Sequence, residues 1–316
     1  MTDETNIIDV NDDDADVDVF ERSETDIPQD VSIRWTELPG SSTLTVEEAD
    51  KFLCWKDAAI VAIVGERNGG KTTLVAEMYS CFLRGSFAGN LFCHSLSLSG
   101  FEQKCFQSRA ASGGLHPQTP RTSAQEGLRF FHLALSSETE LRRRDLLISE
   151  RAGETYREVR NTPEYAAEMP ELRKASSVVF IIDGERVANP RLRQEVFASV
   201  RSLLRSYLLI EQVSSQTQIQ LVTTKYDLLE GEAGLVARES LETFENSAIE
   251  LVSGRFHVMA FRTAARNPVA GSKLAVGLEP LLQSWLRPLP SLSLKSIPMP
   301  VLTDEFDRLM LFRGEQ

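Results

Sequence analysis

Nine residues constrain this chain more than any others: Gly65-Glu66-Arg67-Asn68-Gly69-Gly70-Lys71-Thr72-Thr73. They fit GxxxxGK[ST], the phosphate-binding loop. They stand between an apolar run, Ala59–Val64, and a helix expected over Thr72–Leu83. Glycines let the backbone wrap an anion so that several N–H groups point inward. The helix start adds a partial positive charge of about half a unit. Lys71 offers a point charge to the β- and γ-phosphates, and Thr72 offers a hydroxyl to magnesium. The stretch predicts a nucleoside triphosphate site at the end of a core strand.

The charge is uneven. Of a net −12, residues 1–30 carry nine Asp and three Glu against one Arg, so the remainder is nearly neutral. A neutral body argues against direct binding to nucleic acid or an anionic membrane. The tail has too few large apolar residues to form a core and reads as disordered. Its alternating Asp12, Asp14, Asp16 and Asp18 lack the glycine and closing Glu of a calcium loop. Cys54, Cys81, Cys93 and Cys105 form no CxxC pair, and the four histidines are scattered. The N-terminus has no secretion-signal pattern, and no apolar run reaches the ~20 residues of a membrane span. A cytoplasmic protein is expected.

Along the chain, 31–58 reads as a lead-in element with a helix start at Thr45. Residues 59–287 read as one nucleotide-binding domain and 288–316 as a C-terminal arm. Ser86–Gln125 is rich in Ser, Gly and Pro; a helix near Ser99–Arg109 is its one regular feature. Leu128–Leu135 and Arg144–Ser149 read as strands close enough to pair antiparallel. Ser176–Asp183 reads as a strand buried on both faces. Asn189-Pro190 opens a helix with Val196, Val200, Leu203, Leu204 and Leu208 on one stripe. Gln218–Thr223 and Phe256–Phe261 are further strands, and Arg238–Val252 and Gly277–Leu286 further helices. The alternation predicts an α/β fold: a mostly parallel sheet with one antiparallel strand and helices on both faces.

The base is chosen by Thr224-Lys225-Tyr226-Asp227, directly after a strand, which fits [NT]KxD. A carboxylate at Asp227 can accept two hydrogen bonds at once, from N1–H and the 2-amino group of guanine. Adenine lacks that pair of donors. The Lys225 stem would lie over the base, and Thr263-Ala264-Ala265-Arg266 follows as a guanine-ring loop. The expected DxxG is Glu150-Arg151-Ala152-Gly153, with Glu where Asp is usual. Glu150 would hold a magnesium-bound water, and the Gly153 amide would meet the γ-phosphate. A switch threonine should precede the Leu128 strand. Thr119 and Thr122 both qualify, and Thr122 is nearer. Glu154 stands where a water-positioning Gln is usual, and Arg67 is a candidate built-in arginine finger.

The order of these motifs, Gly65 to Arg266, resembles the Ras-like GTPases of the translation-factor-related class. Three runs narrow the resemblance: His94-Ser95-Leu96-Ser97-Leu98-Ser99-Gly100-Phe101-Glu102, Pro120-Arg121-Thr122, and Ile148-Ser149-Glu150-Arg151-Ala152-Gly153-Glu154. They are similar to bacterial double-GTPase-type proteins of multi-component conflict and defence systems. The resemblance implies GTP/GDP and Mg2+ as cofactors and a switch, and a Glu154 carboxylate repelled by the triphosphate makes slow hydrolysis the expectation. Segment 86–125 would be ordered by GTP and read by protein effectors. Two readings stand beside it: a nucleotide-binding interaction module with little hydrolysis, and an ATPase or kinase of the phosphate-loop class.

Overall fold

The computed structural model describes residues 41–106, 119–120, 122, 124–139, 142–266 and 275–288. The acidic tail, nearly all of the C-terminal arm and the stretch 107–118 lie outside the described residues. The lead-in begins with α1 (Val46–Leu53). Its start at Thr45 is a reciprocal cap: Thr45 Oγ1 accepts from the Glu48 amide at 3.1 Å, and the Thr45 amide donates to Glu48 Oε2 at 2.7 Å. The chain then enters β1 (Ala58–Val64), α2 (Lys71–Phe82), β2 (Asn90–His94) and α3 (Leu98–Phe106). Next come β3 (Arg129–Ser137), β4 (Arg143–Glu150), α4 (Gly153–Asn161), α5 (Pro170–Lys174) and β5 (Ser177–Asp183). The rest is α6 (Gly184–Ala188), α7 (Arg193–Leu208), β6 (Gln218–Thr224), α8 (Leu235–Ser253), β7 (His257–Arg262) and α9 (Leu278–Trp285).

The seven strands form one sheet in the order β2-β3-β4-β1-β5-β6-β7. β3 alone runs against its neighbours; β4, β1, β5, β6 and β7 are parallel. This is the expected α/β sheet with one antiparallel strand. β1 is central, and its side chains feed two cores alternately, as the two-residue period of a strand requires. Ile60, Ala62 and Val64 pack with Phe52 of α1, Tyr156 of α4, Leu204 of α7 and Leu241 of α8. Val61 and Ile63 pack with Leu74 and Met78 of α2, Phe101 of α3 and Trp285 of α9. Helices therefore cover both faces. The strand order reverses at β1, so the crevice at its carboxyl end is where such a sheet takes a ligand.

Three differences from the sequence reading have physical causes. The helix expected near Ser99–Arg109 is α3 (Leu98–Phe106), but Ser86–Gln125 also contains β2, which was not expected. β2 is an edge strand whose side chains are mostly exposed, so it carries no apolar alternation. α4 was not foreseen because Gly-Glu-Thr-Tyr-Arg-Glu-Val-Arg-Asn buries only Gly153, Tyr156 and Val159. The helix expected from Asn189-Pro190 begins at Arg193; the preceding turn is closed by the Leu192 and Arg193 amides on the Asn189 carbonyl.

Candidate functional site

Four strand ends meet in one crevice. The loop after β1 adopts left-handed backbone at Asn68 (φ 63°) and Gly70 (φ 86°) before α2 begins. Alternation of this kind turns successive amides toward one point and makes an anion-binding concavity. Residues Arg67 to Leu74 line a cavity of about 390 Å³, whose opposite wall includes Thr122, Gly153, Lys225 and Ala265. Gly65 and Glu66 lie behind the loop: their carbonyls accept from Lys71 Nζ at 2.8 and 3.0 Å. The Glu66 carboxylate turns away from the cavity to Arg160 of α4 (2.8 Å), Arg186 of α6 (3.2 Å) and Ser199 of α7 (2.7 Å).

The last residue of β6 and the one after it fasten the loop. Thr224 Oγ1 donates to the Gly69 carbonyl at 2.8 Å, and Lys225 Nζ donates to the Asn68 carbonyl at 3.0 Å. Lys225 has φ 51° and also pairs with Asp183 (3.0 Å) and Glu185 (2.7 Å). Such strain in a non-glycine residue persists where the surroundings over-determine it. Asp227 follows, partly exposed, in the 3-10 turn Tyr226–Leu229. Thr263 is fully buried, its Oγ1 donating to the Thr223 carbonyl at 3.2 Å, and Ala264 is buried beside it. Of that loop, Ala265 and Arg266 reach the cavity wall.

At the end of β4, three candidate metal-site residues converge. Thr122 Oγ1 donates to Glu150 Oε1 at 2.8 Å, and Thr72 Oγ1 lies 3.4 Å from the same oxygen. The two hydroxyls are 3.2 Å apart. Thr119, the other candidate, instead meets Thr73 Oγ1 (3.2 Å) and Arg266 Nη1 (2.8 Å). Gly153 opens α4 directly against the phosphate loop: a Cβ there would stand 2.2 Å from the Arg67 nitrogen, so only glycine fits. Glu154 faces Arg67 at 3.7 Å, both side chains about half exposed.

The model of the Double-GTPase 2 family matches residues 59–286, from β1 to just past α9. The chain belongs to the Double-GTPase 2 family. No curated protein matches it significantly. Among solved structures it is similar to one titled as the signal recognition particle receptor SRb-GTP/SRX complex from Chaetomium thermophilum. Identity is 15%, covering 69% of this chain and 95% of that one, at a TM-score of 0.38. It is also similar to Methanosarcina barkeri Roco2 RocCORdC bound to GDP, at 11% identity, covering 72% and 48%, with a TM-score of 0.34. Family membership makes this a P-loop GTPase-type domain with a guanine-nucleotide site. Among the described residues no helix is long and apolar enough to cross a membrane.

Several residues of this Double-GTPase 2 site carry no local sequence signal. Arg151 sits in the cavity wall but forks onto the buried Glu171 at 2.5 and 3.0 Å. Arg266 pairs with Glu77 of α2 and leaves Nη2 buried without a hydrogen bond. Lys104 of α3 lies 3.2 Å from Glu150 Oε1. Each contact joins elements far apart in the chain, and no motif encodes it.

Burial pulls the Lys71 ammonium down to about 8, against the opposing pull of Glu154, Glu150 and Glu66. A bound triphosphate favours the charged form and raises the value again. Nucleotide binding just above pH 8 is therefore expected to take up a proton, and affinity to fall as pH rises further. Titration calorimetry at pH 8.5 in two buffers of different ionisation heat checks this. Equal apparent heats would contradict it.

Proposed function

We propose that this chain is a GTP-binding switch protein that hydrolyses GTP slowly with magnesium, as one component of a bacterial multi-protein defence system. The observation that carries the nucleotide reading is the pair of bonds from Thr224 and Lys225 to the phosphate loop. They tie the first two residues of the base motif, which line the crevice, to the phosphate loop. The defence role rests on the family resemblance alone, and the functions encoded by neighbouring genes test it.

Thr72, Thr122 and Glu150 would hold magnesium. The fit is supported by the buried Glu150 Oε2, which has no hydrogen-bond partner. The two hydroxyls stand 3.2 Å apart beside that carboxylate, so all three residues would reach one ion. When bound, the ion neutralises charge developing between the β- and γ-phosphates. Lys71 and the loop amides from Asn68 to Thr73 would hold the same oxygens, and the Gly153 amide the γ-phosphate. Thr122 would be the switch threonine. Arg67 and Glu154 would flank the attacking water.

A second reading, an interaction module with little turnover, is favoured by one contact. Glu154 stands at the water-positioning place, and its carboxylate faces the cation of Arg67. Single-turnover hydrolysis with magnesium separates the two. A rate above that of free GTP supports the switch; none at all supports the module.

A further inference from the structure

We propose that Lys104 is a positioning residue of the phosphate site: a built-in cation that holds Glu150 and, through it, Thr122, so that nucleotide binding depends less on a divalent metal. The proposal rests on the nucleotide reading above.

Glu150 is a charge in a dry place. Its side chain is 4% exposed, and that of Lys104 is 12% exposed. A carboxylate buried beside an incoming triphosphate would repel it, and taking such a charge out of water is costly unless it is paired. Lys104 Nζ supplies the partner at 3.2 Å. It acts on Oε1, the oxygen that also accepts from Thr122 at 2.8 Å, so one ammonium holds both the carboxylate and the threonine bonded to it. Two other cations line this wall: Arg151 is committed to Glu171, and the Lys71 ammonium donates to the Gly65 and Glu66 carbonyls.

Lys104 is delivered by a rigid helix. Phe101 of α3 stacks on Tyr79 of α2, ring centroids 4.6 Å apart, and lies 4.6 Å from Phe131 of β3. Tyr79 Oη donates to Glu102 at 2.8 Å. Cys105 is buried, its Sγ 3.4 Å from the Ala76 carbonyl. These contacts hold α3 against α2, the helix that begins with Lys71 and Thr72. The cation is thus fixed relative to the phosphate loop.

The test is the affinity of the full chain for GTP carrying a fluorescent ribose label, in magnesium and in EDTA. The unaltered protein is expected to keep measurable affinity in EDTA. Lys104→Met should lose about tenfold or more there, but less than about threefold in magnesium, because the metal then supplies the missing charge. Lys104→Arg should restore most of the EDTA affinity. In a Glu150→Gln background the Lys104→Met step should have little effect, since the charge to be neutralised is gone. Equal losses in magnesium and EDTA would mean a merely structural lysine and overturn the proposal, as would no loss in EDTA. If Lys104→Met does not fold, Lys104→Gln is read the same way. No binding by the unaltered protein in either condition would instead sink the nucleotide reading itself.

Discussion

Asp227→Asn is expected to lower GTP affinity about a hundredfold or more and to raise affinity for xanthosine triphosphate. Two hydrogen bonds to a charged acceptor are lost, and the amide presents a donor to a donor. Xanthine carries a carbonyl where guanine carries its amino group, so the swapped side chain suits it. The fold should be untouched, because Asp227 is partly exposed on a 3-10 turn. Thr224 and Lys225, which fasten the phosphate loop, are unaltered. Competition binding with GTP, xanthosine triphosphate and ATP reads the result. An unaltered protein that binds ATP as tightly as GTP would defeat the guanine assignment.

Lys71→Ala should cost triphosphate affinity about a hundredfold or more, through loss of a charge-assisted contact in a site shielded from water. The structure adds an expectation for stability. Lys71 spends its ammonium on the carbonyls of Gly65 and Glu66, and burial already disfavours its charge. Removing it relieves that burial, so the empty protein should melt within about 4 °C of the original. A Lys71→Arg variant should not rescue binding, since the planar guanidinium is larger and fixed in geometry. Parallel melting curves and binding isotherms decide. A folded Ala variant with unchanged affinity would remove Lys71 from the site.

The parts of the site legible in sequence were those whose chemistry is local. The phosphate loop announces itself because its glycines, lysine and threonine are contiguous and follow a strand buried on both faces. Thr224 to Asp227 and Glu150 to Gly153 are likewise short runs at strand ends, and their order along the chain was enough to bring them together. The unreadable parts depend on encounters between distant elements. Glu66 looks like a spacer inside the motif, yet three helices hold its carboxylate. Lys104 stands in a stretch without periodicity, and only the packing of Phe101 and Cys105 carries it to Glu150. β2 is exposed and α4 is mostly polar, so neither gives a hydrophobic pattern to read. Thr119 and Thr122 are both loop threonines, and no local pattern shows that one meets Arg266 and the other Glu150, both far along the chain.

The central place of β1 has a consequence for how the protein is made. Ala58 pairs with Asp145 and Val61 with Ser177, so the strand that carries the phosphate loop has both neighbours far downstream. At roughly 5–20 residues per second, a ribosome exposes Ala-Ala-Ile-Val-Ala-Ile-Val several seconds before either partner exists. The β3–β4 hairpin, by contrast, joins its strands through a short connection and can close within about 10 μs. Synthesis therefore completes the β2–β3–β4 edge of the sheet before β1 gains β5 as its second neighbour. The crevice is incomplete until Thr224 and Lys225, which fasten the phosphate loop, have also left the tunnel.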